Sequence, residues 1–264
     1  MSLSITGARS ELGRILSRQR TRGSVHINIA GQQANTLLHD GHAWKEFART
    51  AMAGARRAIK VDADFLVHAS FAFVLGHPPK DPLRSIAETI VECENLVLSG
   101  SLPACVVRLG YLYGPESRDL RAYRAAFSLG RPYWAGPPKA LQYHLHQFDA
   151  VGALLAAAKP RNANKLFYAV DAKPASFMQF MDYFARGVGR RFPLHVPLLA
   201  KPVIKLIVRE EHMQQAALAM PASAPSPRVP GWKPVFPDYR HGLDEIIEAW
   251  RHFDKGRNRP TADH

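Results

Sequence analysis

Gly7-Ala8-Arg9-Ser10-Glu11-Leu12-Gly13 sets two glycines around a polar turn, between a short apolar run and a stretch with helical periodicity. In that setting backbone N–H groups and the positive end of a helix meet a pyrophosphate. The same spacing also suits a plain strand-to-helix turn, and Ser10 stands at the centre, where such turns often carry glycine. Ser70 closes the run Phe65-Leu66-Val67-His68-Ala69-Ser70, placed either to orient a carbonyl or to act as a strand-end hydrogen bonder. His144 and His146 flank Leu145, so on a strand both project from one face, as a metal pair would. No carboxylate or thiol lies at ligand spacing, so a metal is not expected. Glu92 and Glu94, two apart on a helix, do not face each other and read as solvated. Asp149 reads as a helix cap rather than a chemical group.

These residues need elements to hold them. Ser4 to Gly7 reads as the end of a strand, and Ser10 to about Arg18 as a helix with Leu12, Ile15 and Leu16 inward. Val25 to Ala30 is a β-rich run ending in Gly31. Asp40 is placed to cap a helix through about Lys60, with the apolar stripe Trp44, Phe47, Ala51, Met52, Ala55 and Ile59. A strand over Asp64 to Ser70, a loop at Pro78 and Pro79, a helix from about Pro82 to Leu98, a strand at Ala104 to Leu109 and a helix from Asp119 to Leu129 follow. Nearly all-apolar strands alternating with helices predict an α/β fold, a parallel sheet covered on both faces. After Asp149 come a helix through Ala158, a strand at Lys165 to Val170, and helices near Ser176 to Val188, Leu198 to Val208 and Tyr239 to Phe253. Met220 to Pro230 has the composition of a linker-like loop. The division expected is a dinucleotide-binding domain over 1–160 and a small, mostly helical substrate or lid region over 161–264.

The 264 residues suffice for a full core, and 47% apolar with 22% charged residues is ordinary globular composition. No apolar run reaches the length of a bilayer span, and the first five residues do not make a signal peptide, so a cytoplasmic location is expected. Cys93 and Cys105, with no second ligand pair nearby, read as buried free thiols. The net charge of +13 comes mainly from scattered arginines. The densest stretch, Arg18-Gln19-Arg20-Thr21-Arg22, lacks the interleaved aromatics of a single-strand binding face, so nucleic acid is a weaker expectation than a solvated surface. The segment Leu198 to Val208, apolar with Lys at intervals, reads as a packing helix, with a membrane-surface helix as the alternative.

Several segments, in order, resemble the extended short-chain dehydrogenases, the NAD-dependent epimerase/dehydratase family. Thr6-Gly7-Ala8-x-x-x-Leu12-Gly13 is similar to the family's first turn, Val25 to Gly31 to its fourth strand, and Phe65 to Ser70 to its fifth. Val106-Val107-Arg108-Leu109-Gly110-Tyr111-Leu112-Tyr113-Gly114-Pro115 resembles its Arg-Pro…Tyr-Gly-Pro segment, with Leu109 for Pro. His146-Gln147-Phe148-Asp149-Ala150-Val151 is similar to His-x-x-Asp-Val, and Pro230-Gly231-Trp232-Lys233-Pro234 to a C-terminal Gly-Trp-x-Pro turn. The resemblance spans nearly the whole chain. It implies that NAD or NADP is the cofactor. Gly7, Ser10, Glu11, Leu12 and Gly13 would meet the pyrophosphate, and Ala30, Gly31, Ser70, Leu109, Gly110, Tyr111 and Leu112 would line the nicotinamide side. A small-molecule substrate, nucleotide-sugars being the family's commonest class, would lie between Tyr113, His146 and the C-terminal helices.

Two departures qualify this. The family's Tyr-x-x-x-Lys supplies the general acid/base, yet alignment by Glu94 puts Ile86 and Ile90 there, and no Tyr precedes Tyr111. Ile transfers no proton, and positioned acid/base groups contribute roughly 10²–10⁴ in rate, which leaves Ser70 as the remaining candidate. Second, only Gln19 to Ser24 separate the first helix from Val25, too few for the family's second and third strands, since a βαβ unit takes roughly 30 residues. Those strands lie together at one edge in the 3-2-1-4-5-6 order, so the sheet stays continuous while the acidic residue that holds the adenosine ribose is lost. The first strand then becomes an edge open to a protein partner or a second copy. A divergent NAD(P)-binding epimerase, dehydratase or oxidoreductase is the leading expectation. A non-catalytic scaffold for a protein complex, RNA or a membrane surface is the alternative.

Overall fold

The computed structural model describes residues 2–35, 42–76, 80–81, 83–196 and 210–257. The expected cap Asp40, the loop at Pro78 and Pro79, and the helix over Leu198 to Val208 lie outside them. In chain order the elements are β1 (Leu3–Thr6), α1 (Glu11–Leu16), β2 (Val25–Asn28), α2 (His42–Ala58), β3 (Phe65–Phe71), α3 (Leu83–Leu98), β4 (Ala104–Leu109) and β5 (Tyr111–Tyr113). There follow α4 (Arg118–Ser128), β6 (Leu141–Gln142), β7 (His144–His146), α5 (Gln147–Ala157), β8 (Lys165–Ala169), β9 (Ala175–Ser176), α6 (Phe177–Gly187), α7 (Glu210–Ala217) and α8 (Tyr239–Arg257).

Five strands form one parallel sheet in the order β1-β2-β3-β4-β8. Strand alternation divides the core between its faces. Phe65, Val67 and Ala69 of β3, with Cys105 and Val107 of β4, pack with Leu12, Ile15 and Leu16 of α1 and Leu154 of α5. Leu66, Phe71, Ala104 and Val106 face the other way, against Phe47 and Ala55 of α2, Ile86, Ile90 and Val97 of α3, and α6 and α8. This is the Rossmann-like α/β architecture expected, with β1 at the edge. β8 closes the other side of the sheet, so the sheet draws on residues from both sides of position 160.

The short edge strand is pinned by its side chains as well as its ladder. Ser4 Oγ and Thr6 Oγ1 lie 2.7 and 2.9 Å from the two ring nitrogens of His26 on β2. The expected linker at Met220 to Pro230 is instead tied down. The Tyr168 N–H donates to the Pro227 carbonyl at 2.9 Å, and the Met220 N–H to that of Leu141 at 2.8 Å. Both cysteines are buried and unpaired, and burial pushes their thiols up, to about 11 for Cys93 and about 12 for Cys105. Among the described residues no helix is long and apolar enough to cross a membrane.

Candidate functional site

The turn after β1 is built by two glycines and a serine. Gly7 has φ +95, and a Cβ there would sit 3.0 Å from Ile29 Cγ1 and 3.1 Å from the Ile29 carbonyl oxygen, so only glycine fits. Ser10 caps α1 by accepting the Gly13 N–H at 3.1 Å while donating to the Gly7 carbonyl at 2.8 Å. Gly13 lets the helix approach, because a Cβ would lie 2.6 Å from the Ala8 backbone. Of the five residues expected at a pyrophosphate, Gly7 and Ser10 line an open cleft. Glu11 instead accepts from Gln147 Nε2 at 2.9 Å, and Leu12 is buried in the core.

The cleft has a volume of about 770 Å³ and runs from this turn, past Ala30 and Gly31, along α2. Ala30 and Gly31 line the same cleft as Gly7 and Ser10. The far wall is α2: Arg49, Thr50, Ala53, Gly54 and Arg57. Gly54 permits the contact, since a Cβ would lie 2.2 Å from Ala30 Cβ. With Arg9 from the turn, three guanidinium groups border the cleft, and no carboxylate is found among its described lining residues. Arg49 also pairs with Glu46 beside it. Sequence reasoning read only the apolar stripe of α2. The opposite face at 49, 53 and 57, and at 50 and 54, carried the other signal: Arg, small, Arg at helical spacing.

Further along the sheet the site closes. Asn35 Nδ2 donates to the Gly110 carbonyl at 3.1 Å, and the Leu112 N–H donates to the Asn35 carbonyl at 2.8 Å. Leu109, Gly110, Tyr111 and Leu112 are thereby buried behind Asn35 and are not among the residues lining the cleft. Ser70 is fully buried, and its hydroxyl donates to Glu94. Glu94 is not solvated as its sequence position suggested. It is 2% exposed and clamps Arg108 with two bonds of 2.8 and 2.7 Å, while Arg108 Nη1 reaches Tyr168 Oη at 3.1 Å. A carboxylate on the sheet-facing side of α3 is compatible with burial only because β4 offers that guanidinium. Glu92, on the outer side, is exposed. Ile86 and Ile90 are buried in the same core.

Tyr113, His144 and His146 lie deeper, on β5 and β7 beneath α6 and α8. Tyr113 Oη would touch any side chain at 242, where α8 has glycine. His144 stacks on Phe180 with ring centroids 4.4 Å apart, and both its ring nitrogens lack partners among the described residues. His146, not Asp149, caps α5, its Nδ1 accepting the Phe148 N–H at 3.3 Å. Asp149 is spent elsewhere: its two oxygens accept the N–H groups of Val235 and Phe236 at 2.6 and 2.8 Å, anchoring the segment before α8. Asp171 is fully buried with neither oxygen hydrogen-bonded among the described residues, and burial, reinforced by Asp149 and Asp238, holds its carboxyl well above the usual range. Burial pulls the imidazoles down, to about 3 for His144 and about 4 for His146. Among the described residues no three His, Cys, Asp or Glu gather as a metal centre.

No family model matches the chain. A "3-diazoavenalumate denitrifying reductase" from Streptomyces sp is 27% identical over 229 residues, 86% of this chain and 70% of that protein. Among solved structures, human epimerase family protein SDR39U1 (isoform 2) with NADPH superposes with TM-score 0.70 at 17% identity, over 94% of this chain and 99% of that one. MoeE5 in complex with UDP-glucuronic acid and NAD gives 0.67 at 16% identity, over 96% and 100%. RMD from Pseudomonas aeruginosa with NADPH gives 0.64 at 15%, over 95% and 99%. The chain has the fold of these proteins, each solved with NAD or NADPH bound.

Proposed function

We propose that this chain is a divergent member of the extended short-chain dehydrogenase family that binds NAD(P)(H) in the cleft and serves a reductase whose substrate needs no proton from the protein. The carrying observation is the cleft itself: a glycine turn opening the capped helix α1, bordered by three guanidinium groups, with about 770 Å³ of space. Amide donors and fixed positive charge are what a diphosphate requires. The residues present therefore fit the diphosphate end of the cofactor.

The substrate class follows from what replaces the acid/base pair. With Ile86 and Ile90 in the core and the Ser70 hydroxyl committed to Glu94, no phenol, ammonium or free hydroxyl is offered by those positions. A bound reduced nicotinamide supplies a hydride. A ketone that accepts one becomes an alkoxide and needs a proton. An arenediazonium ion that accepts one becomes an arene, its C–N bond breaking with the bonding pair leaving as dinitrogen, and needs none. The denitrifying reductase relative supports this second class, and the nucleotide-sugar enzymes sharing the fold support the first. Tyr113 and His146 are buried, so a substrate reaching them would have to displace the segment before α8.

The test is in two steps. Titration of the four Trp residues' fluorescence with NADH and NADPH should give a Kd below about 100 μM, roughly −5.5 kcal/mol. With cofactor deuterated at C4 and a benzenediazonium salt, protein-dependent transfer of the label into the arene should exceed the protein-free rate. Absence of binding overturns the reading. Binding without protein-dependent transfer favours the scaffold alternative, for which the sealed Ile86 and Ile90 are the supporting observation and the open β1 edge the place for a partner.

A further inference from the structure

Away from the cleft, two helices end side by side in the same way. α4 stops at Gly130, with φ +69, and α6 at Gly189, with φ +99. In each the next N–H, from Arg131 or Arg190, turns back to a carbonyl inside the helix, Ala126 at 3.0 Å or Ala185 at 2.8 Å. The two turns abut, since a Cβ on Gly130 would lie 3.7 Å from Arg190 Nη1. Beyond them the chain segments run together. The Tyr133 N–H donates to the Leu194 carbonyl and the Val196 N–H to the Tyr133 carbonyl, both at 2.9 Å, and His195 Nε2 lies 2.7 Å from Asp182 Oδ1. The backbone of both turns is thereby fixed.

What this platform carries is apolar and positive. Leu129 is 70% exposed, Phe192 73% and Leu194 47%. Residues 129–135 and 186–196 hold four arginines, Arg131, Arg186, Arg190 and Arg191, and no Asp or Glu. Arg131, Arg190 and Arg191 enter no ion pair among the described residues. Arg191 Cζ lies 5.6 Å from the Phe192 ring centroid, so charge and apolar surface come from adjoining side chains. Asp182 and Asp254, on α6 and α8, are engaged with His195 and Arg124.

Exposed phenyl and leucyl groups beside unpaired arginines match a surface that offers anionic headgroups over hydrocarbon. A second copy of the patch would set arginine against arginine, and a nucleic acid would leave Leu129 and Leu194 in water. We infer that the end of the molecule formed by the α4 and α6 turns docks on an anionic lipid bilayer. Leu129, Phe192 and Leu194 enter the headgroup region, and Arg131, Arg190 and Arg191 pair with lipid phosphates. Because the backbone is fixed beforehand, little order is lost on docking. The attachment is reversible, since a few side chains anchor far more weakly than a spanning helix.

Sedimentation of the full chain with vesicles tests this. Phosphatidylcholine vesicles with about 30 mol% phosphatidylglycerol should carry the protein down at low salt, and pure phosphatidylcholine should not. Raising sodium chloride from about 0.05 M to about 0.5 M should release most of it. Phe192→Ser should weaken partitioning about tenfold, and Leu129→Ser by a similar factor. Arg131→Gln and Arg191→Gln should each weaken it about fivefold. Val235→Ser, at a site 75% exposed on the segment anchored by Asp149, should change it by less than about twofold. Circular dichroism of each variant guards against misfolding. No sedimentation with the anionic vesicles, or sedimentation that survives Phe192→Ser combined with Leu129→Ser, overturns the inference. Binding of a single-stranded RNA that displaces the vesicles and depends on the arginines alone overturns it too. None of these residues lines the dinucleotide cleft, so the cofactor reading is tested separately.

Discussion

The cleft beside β1 and the packed region between α3, β4 and α8 belong to one parallel sheet, yet they are opposites. The first is open, basic and built around glycine backbone. The second is closed, its ionisable groups turned on one another or left neutral inside. In the glycine turn the backbone geometry remains: Gly7, Ser10 and Gly13 each have a contact that another residue would break. Along α3, Ile86 and Ile90 are aliphatic core, and a Ser70–Glu94–Arg108 chain is buried nearby. An open basic cleft and a sealed ion-pair chain thus share one sheet.

If the closed region is held by neutral buried imidazoles, acid should open it first. Burial holds His68 at about 4, His144 at about 3 and His146 at about 4, against 6.5 for a free imidazole. Folded pKa values below the unfolded one mean that the unfolded chain binds the protons. The stability they contribute is therefore complete above pH 6.5 and is lost as pH falls towards 4. At roughly 1–2 kcal/mol for each imidazole, the loss between pH 7 and pH 5 is on the order of 5 kcal/mol. Asp171, raised, has the opposite sign, its contribution present below 3.8 and declining as pH rises, so Asp171→Asn should stabilise the chain most at alkaline pH. Urea unfolding at pH 5, 7 and 9 measures both. Equal stability at pH 5 and 7 would remove the contrast between the two regions.

Glu94→Leu should cost about 3–5 kcal/mol, because it strands Arg108, whose side chain is only 14% exposed. Adding Arg108→Leu should recover most of that loss, since a buried pair is replaceable by apolar packing of similar volume. Neither change should alter cofactor affinity by more than about twofold, as neither residue lines the cleft. A large loss of affinity in a folded double variant would show the regions to be coupled.

Introducing a Tyr-x-x-x-Lys pair, Ile86→Tyr with Ile90→Lys, should cost about 3 kcal/mol, because both positions are core and no acidic residue is among the core partners of a lysine at 90. Carbonyl reduction should not appear. A stable variant with new ketone reductase activity would mean that α3 still faces a substrate.

The contrast was half legible in the sequence. The apolar runs at Phe65 to Ser70 and Ala104 to Leu109 specified a sheet covered on both faces, and the few residues between Leu16 and Val25 fixed β1 at its edge. Gly7, Ser10, Ala30 and Gly31 could be placed because a glycine turn announces itself locally. What escaped was whatever depends on a distant partner. Glu94 reads as solvated until β4 brings Arg108 to it, and Asp149 reads as a cap until Val235 and Phe236 return from 86 and 87 residues away. The basic wall of α2 was written in its periodicity, but only the folded turn after β1 brings Arg9 across from it.

The smallest expected effect discriminates best between the two regions. Ser10→Ala removes the α1 cap, for which about 1 kcal/mol is ordinary. The Ser10 hydroxyl also donates to the Gly7 carbonyl, so its loss frees the turn that borders the cleft. Stability and affinity should then part company: a drop of one or two degrees in Tm, against a cofactor Kd weakened about fivefold. The closed region is untouched, so the acid unfolding window should not move. If affinity is unchanged while Tm falls, the turn is a strand-to-helix connection only, and the binding energy of the cleft resides in its arginines.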